Sequence, residues 1–485
     1  MRSGVHVGAA VSVGLPAVSW RQLTAVACLA VGAGMMHLAA PVMPYDGGIS
    51  ASSGTFIRHG LVPYRDFWLL YGPLSGYLVA AALLAAPPTV GLLRALGLAT
   101  VVAQATAGYA LIRDQTTSVI AAAIAVLAAA APMYFLRLDV SAWPLAMAFA
   151  LPALVVARSD RPRAPLVAGL LVGATFLSRL DVGGYVLISL LLVYRKPATL
   201  AGFLAVAVPF GLIAVLLVPV GALFEQLVWY PLVGTQLYRA VSLEASPDGP
   251  GAQVASILVG WLPRAAILLT GGLVALRRRR GLGALTLFAL LCQLQTLGRA
   301  DLSHLAQAAG PALLLTAAWF PQRPRRRWAW SVGFATVASG QVALLLLSLG
   351  WLAVPTSTYE RDLGTAVDRI RPLTAPGETI FVGLTANRYT FANPLLAYYL
   401  ADRPPGTKLT MYNPGVTNTE SHQREMVREL ISSGTRVVIL DSHFADSCEL
   451  ANLSCVPGSQ TLDEYVSARF VDREGFGDFV VGTSP

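Results

Sequence analysis

The 485 residues are 55% apolar and only 13% charged, with a mean hydropathy of +0.61 and a net charge of +9. Soluble domains carry about 25% charged residues, so this balance excludes an ordinary soluble enzyme and indicates an integral membrane protein. The basic residues sit in short clusters between apolar runs, Arg158 to Arg163, Arg195-Lys196, Arg277 to Arg280 and Arg323 to Arg327, a placement that sets topology and binds no nucleic acid.

In chain order, Met1 to Trp20 is a short, mildly basic lead, and the run from about Leu23 to Ala40 is long enough for a first transmembrane helix with its amino terminus in the cytoplasm. A polar stretch follows, Met43-Pro44-Tyr45-Asp46-Gly47-Gly48, then Gly60-Leu61-Val62-Pro63-Tyr64-Arg65-Asp66-Phe67-Trp68 and Tyr71-Gly72-Pro73. It places Asp46, Asp66, Arg58, Arg65 and His59 beside hydrophobic spans, where ionisable groups are costly and point to function. Its aromatics, Tyr64, Phe67, Trp68 and Tyr71, suit the membrane interface.

Further apolar runs lie at about 68 to 87, 90 to 112, 117 to 132, 141 to 157, 164 to 178, 182 to 194, 199 to 220, 254 to 276, 282 to 298, 304 to 320 and 328 to 354. With the basic clusters kept cytoplasmic, Ser178 to Gly184, Phe224 to Gln253, Gly298 to His304 and the tail after about Val354 fall outside. The count closes if the run starting at Trp68 fails to cross, because Gly72-Pro73 interrupts its helical bonding. The expectation is therefore a polytopic α-helical membrane module over 1–354, with about 11–12 transmembrane segments, and a small extracytoplasmic α/β domain over 355–485. In that domain Glu378 to Leu384 and Thr435 to Asp441 read as buried strands and Asn418 to Ser432 as a helix. Of the four cysteines, Cys28 and Cys292 read as packing residues, and Cys448 and Cys455 as a pair that an oxidising compartment would permit to bond.

The loop order, an Asp just after the first span, then "G-x-x-P-Y-x-D", then aromatic-Gly-Pro leading into the next span, resembles the first external loop of the GT-C glycosyltransferases. The nearest likeness is to their protein O-mannosyltransferase and aminoarabinose-transferase branch. The resemblance covers about residues 22 to 354. It implies an inverting transferase in the plasma (inner) membrane of a bacterium, an origin to which the Arg-rich, Lys-poor, Ala-rich composition also points. The donor would be a polyprenyl-phosphate sugar, and the acceptor a hydroxyl of an envelope glycan, lipid or protein. Asp46 takes the position of the acidic residue at the family's reaction centre. Chemically such transfer needs a carboxylate that accepts the acceptor's proton, whereas Asp before Gly47-Gly48 also suits a plain turn. Asp66 is a second catalytic candidate or a loop-fixing partner of Arg65 or Arg58.

Three further clusters lie between spans. Arg137-Leu138-Asp139 reads equally as a phosphate- and sugar-binding pair and as an ion pair capping helix ends. Ser178-Arg179-Leu180-Asp181 offers Arg179 for phosphate and Asp181 for a sugar hydroxyl, at a point where the family usually shows Lys. Arg299-Ala300-Asp301-Leu302-Ser303-His304 is similar to an "R-x-D-x-x-H" motif of bacterial GT-C proteins and is the foremost donor-phosphate candidate, since Arg and His can share phosphate oxygens. Arg65 joins these donor-binding candidates. Glu225, Trp229, Tyr230, Tyr238 and Arg239 belong to an external segment whose aromatics suit either a loop that closes over a sugar or, the preferred reading, an interfacial anchor. Thr385 to Tyr389 and Tyr412 to Pro414 are polar loops at strand ends, suited to an acceptor. No Cys or His spacing matches zinc. Cofactor need stays open, because some GT-C enzymes use a divalent metal ion and others do not. The rival readings are a flippase for lipid-linked sugars and a non-catalytic envelope scaffold.

Overall fold

The computed structural model describes residues 18–238, 282–298, 302–319, 342, 346–347, 357–389, 392–443, 445 and 457–485. Ten helices run in order from the amino terminus: α1 Trp20–Met35, α2 Asp46–Arg58, α3 Leu74–Ala82, α4 Val90–Ile112, α5 Ser118–Ala130, α6 Met133–Leu136, α7 Ala142–Ala157, α8 Ala164–Ser178, α9 Leu180–Tyr194 and α10 Pro197–Leu217. Among the described residues α4, the α5–α6 segment and α10 are long and apolar enough to cross a membrane, and α7, α8, α9 and the Gly283–Cys292 helix are shorter apolar helices. At 1.5 Å per residue the nine residues of α3 reach about 14 Å, under half of a hydrocarbon core. Pro73 sits at its start, where a missing N–H costs nothing, so the run from Trp68 becomes helical only after the Gly-Pro step. The runs at 254 to 276 and 328 to 354 lie outside the described residues.

Helix α10 shows what the bundle faces. Leu212 is 61% and Leu216 83% exposed, a surface that only lipid covers comfortably. It packs on α8 through Gly169 and Gly202, where an added Cβ would come within 2.1 Å of the Thr199 carbonyl and 2.2 Å of the Leu166 carbonyl. Small residues that let backbones approach are how helices associate when lipid removes the hydrophobic drive. Arg158 joins α7 to the end of α4 through Asp114 at 2.7 Å, so this member of the basic clusters has a packing role as well. Cys292 is buried as expected, whereas Cys28 lies on the exposed face of α1; Cys448 and Cys455 lie outside the described residues.

After the membrane helices the pattern changes period. An amphipathic helix, Thr358–Leu373, precedes a four-stranded sheet ordered β1-β2-β4-β3, with β1 Ile380–Leu384, β2 Val437–Asp441, β3 Asp472–Phe476 and β4 Phe479–Thr483. Strands β1 and β2 are parallel, Ile380 opposite Val437 and Leu384 opposite Asp441, and fully buried, as continuous apolar runs in a parallel pair require. Thr419 caps the Glu420–Ser432 helix through the His422 amide. The β3–β4 hairpin, which the apolar pattern does not announce, closes on Gly477 at φ +59°.

This unit is seated on the polar loop after α1. Leu396 N donates to Pro44 O at 2.9 Å, Trp68 N to Lys408 O at 2.9 Å and the Tyr45 hydroxyl to Tyr412 O at 2.9 Å. Tyr64, Phe67 and Trp68 are buried in the shared core, Phe67 and Tyr398 each meeting Phe56 edge-on at 5.1 Å. The interfacial role expected for these three is therefore corrected, because the carboxy-terminal unit takes up the apolar faces that the membrane surface would otherwise receive. Tyr230 is corrected likewise: it is buried, meets Trp68 edge-on and donates to Pro414 O at 3.1 Å. Its neighbour Gln226 accepts from Leu69 N and donates to Tyr64 O, both at 2.9 Å, from a π-helical turn, Glu225–Gly234, that contains Pro231.

Candidate functional site

Asp46 is the first residue of α2, and its carboxylate is exposed. Residue 45 caps the helix without a side-chain bond, and among the described residues Asp46 forms no hydrogen bond or ion pair. A carboxylate there is favoured by the positive end of the helix dipole and stays available to a ligand. The two glycines that follow serve close approach. A Cβ at Gly47 would lie 2.3 Å from Asp139 Oδ2, and one at Gly48 would lie 2.6 Å from Leu396 N. Asp46 thus stands beside Asp139 on one side and the carboxy-terminal unit on the other.

Asp139 is 3% exposed, in the loop between α6 and α7. Its Oδ2 has no hydrogen-bond partner among the described residues. Burial raises its pKa to about 7, against the downward pull of Arg94, the Met43 amide and Arg137, while Asp46 adds to the rise. Arg137 holds a backbone conformation (φ 55°, ψ −178°) that is nearly confined to glycine and costs about 1–3 kcal/mol. Its guanidinium stands 5.8 Å from the centre of the Tyr134 ring. Asp139 is thus a buried acid with an unfilled oxygen among the described residues, next to a strained backbone at Arg137. Gly47→Ala is expected to disable the site through overpacking that costs about 1–3 kcal/mol; a lowered melting temperature together with lost ligand binding would show it.

The Arg179–Asp181 cluster meets the same segment from the other side. Arg179 is extended (φ −154°) between α8 and α9, which lets its Nε reach Asp181 Oδ1 at 2.9 Å. Its guanidinium lies 4.9 Å from the Trp143 ring centre and 5.8 Å from that of Tyr71. Trp143 is four residues beyond Asp139, and Tyr71 belongs to the aromatic-Gly-Pro end of the first loop. Gly72 fits there because a Cβ would fall 2.1 Å from Leu177 O. The loop of Asp46, the Arg137–Asp139 segment and the Arg179–Asp181 pair consequently line one end of the bundle.

No protein-family model matches the chain, and no curated protein matches it by sequence. Solved structures do. ArnT from Cupriavidus metallidurans, crystallised with undecaprenyl phosphate, superposes with a TM-score of 0.56 at 13% identity, over 96% of this chain and 98% of that one. The apo oligosaccharyltransferase of Archaeoglobus fulgidus gives 0.50 at 14% identity, over 92% and 73%. The chain has the GT-C glycosyltransferase fold. With that fold and its apolar helices it is a multi-pass membrane protein.

Within the GT-C fold the remaining candidates are placed as follows. Arg65 and Asp66 are bonded to each other, Nε to Oδ1 at 2.8 Å and an Nη to Oδ2 at 2.7 Å, and Asp66 Oδ2 also accepts the Val62 amide at 2.8 Å. Those bonds, the Arg65 side-chain bond foremost, hold Asp66 below the usual carboxylate range and fasten the loop. Arg58 pairs with Asp402 of the carboxy-terminal unit instead. His304 is half-buried near the start of the Leu302–Leu315 helix, whose Ala306 packs on Ala131 beside Tyr134 and Phe135; Arg299 and Asp301 lie outside the described residues. No group of three or more His, Cys, Asp or Glu suited to a metal ion occurs among the described residues. Two residues that the sequence did not single out also belong here. Arg94, a lone charge in the apolar run of α4, donates to Ala40 O at 2.5 Å and faces Asp139. Glu360, from the helix that opens the carboxy-terminal unit, accepts the Val42 amide.

Proposed function

We propose that the protein is a membrane glycosyltransferase. It transfers a sugar from a polyprenyl-phosphate donor to a hydroxyl of a cell-envelope glycan, lipid or protein at the outer face of the membrane. The observation that carries this reading is the exposed, unpartnered Asp46 carboxylate at a helix N-terminus, set beside buried Asp139 with its unfilled oxygen, on a fold shared with a protein crystallised with undecaprenyl phosphate.

In this reading Asp46 accepts the proton of the acceptor hydroxyl as that oxygen bonds to the anomeric carbon. The bond from that carbon to the phosphate oxygen breaks on the opposite face, so the configuration inverts and polyprenyl phosphate departs with the electron pair. Asp139 Oδ2 receives a hydroxyl of the sugar. Arg179, held against Trp143 and Tyr71 and paired with Asp181, stabilises the phosphate together with Arg299 and His304; charge stabilisation of this type needs no covalent intermediate. Asp66 acts with Arg65 to hold the loop in place. With the basic clusters kept in the cytoplasm, this end of the bundle lies outside.

The test is transfer of radiolabelled sugar from a panel of polyprenyl-phosphate donors into an envelope extract by the purified protein. Product from one donor supports the reading and names the sugar; donors that bind and move intact across vesicles, with no transfer, replace it with a flippase. Arg179→Lys is expected to raise the donor KM about tenfold, since an ammonium neither stacks as a plane nor forks to two oxygens. An unchanged donor KM would take Arg179 out of the phosphate site.

A further inference from the structure

The helix Thr358–Leu373 begins with Ser357-Thr358-Tyr359-Glu360, a Ser three residues ahead of a Glu. In a capping box the Ser side chain bonds the Glu amide and the Glu side chain returns to the Ser amide. The first half is present, Ser357 Oγ accepting from Glu360 N at 3.2 Å. The Glu side chain instead crosses to the membrane module, where its Oε1 accepts the backbone amide of Val42, four residues before Asp46. A carboxylate that leaves its own helix cap for a distant amide needs a compensating gain. Here that gain is a charge-assisted bond to the loop that carries Asp46.

We infer that Glu360 is a positioning residue of the site, through which the carboxy-terminal unit sets the place of Asp46. Glu360 fixes Val42, and with it the 42–46 segment that delivers Asp46. It acts through this segment and does not touch the reacting atoms. The rest of the docking is spread over Pro44, Tyr45 and Trp68, so the unit stays seated without Glu360. The activity arm of the test rests on the transferase reading, and the structural arm does not.

The experiment uses the full chain in lipid nanodiscs, as wild type, Glu360→Ala and Glu360→Gln, with two readouts. Hydrogen exchange over the 42–48 peptide is expected to quicken about tenfold in Glu360→Ala, with the peptide carrying Trp68, bonded to Lys408 O, unchanged. Glu360→Gln keeps an acceptor for the Val42 amide and is expected to restore the protection. In transfer assays Glu360→Ala is expected to lower kcat about tenfold with the donor KM unchanged, and Glu360→Gln to recover part of it. Unchanged exchange at 42–48 in Glu360→Ala overturns the inference. So does protection lost equally at the Trp68 peptide, since Glu360 would then hold the whole unit and not the loop. If wild type transfers no donor, the transferase reading fails on its own while the exchange result still decides the role of Glu360.

Discussion

Asp46→Asn is expected to lower the transfer rate by a factor of about 10²–10⁴, the range supplied by a general base, while donor affinity and melting temperature hold near wild type. The argument is local. The Asp46 side chain is exposed and bonded to nothing among the described residues, so the fold loses little when its charge goes. Its interaction with the helix dipole is about 0.3–1 kcal/mol, and Asn serves well at a helix start. The amide cannot accept the hydroxyl proton, and Asp139, bonded to the donor sugar in this reading, does not take its place. Single-turnover transfer measured beside donor binding separates the two effects. Turnover close to wild type with donor bound would remove Asp46 from the reaction; lost donor binding would make it a donor ligand instead of a base.

What could be read from the sequence was whatever is local. The Asp46 loop announces itself because charges beside an apolar span are rare, and the halt at Gly72-Pro73 follows from proline's missing N–H. Strands β1 and β2 are continuous apolar runs and read as such. The β3–β4 hairpin did not, because Asp472, Arg473 and Glu474 are exposed and leave no apolar alternation; only Gly477-Asp478 between two phenylalanines marks the turn. The membrane-interface reading of Tyr64, Phe67, Trp68 and Tyr230 went astray for a different reason. Aromatics beside a span suit either the headgroup region or a covering domain, and nothing short of the docked sheet decides which. Arg94 and Glu360 share that limit, since their meaning lies in partners far away in sequence. Asp139 sits between the two cases: the Arg-x-Asp spacing was visible, while its burial beside Gly47 was not.

The same burial makes Asp139→Asn a variant that should gain stability as it loses activity. The folded-state pKa of Asp139 is raised to about 7, above the value near 4 of an unfolded carboxylate. The folded protein therefore holds this proton more tightly than the unfolded chain, and stability falls as pH rises from about 4 to about 7, then stays low. Asparagine fills the same space without a charge to bury, so at pH 8 the variant should exceed wild type by up to about 4 kcal/mol, the equivalent of the shift. Near pH 2.5, where the acid is neutral in both states, the advantage should vanish. Activity should move the other way. A charged acceptor bonds a sugar hydroxyl about twice as strongly as a neutral one, so wild-type kcat/KM should climb with an inflection near pH 7, and Asp139→Asn should be 10–100-fold slower and lack that inflection. Melting curves at pH 2.5 and 8 and a pH–rate profile of each protein measure both halves. A variant less stable than wild type at pH 8 would mean that Arg94 and Arg137 already repay the ionised carboxylate, so that Asp139 is a structural ion-pair partner and its open oxygen is not kept for substrate.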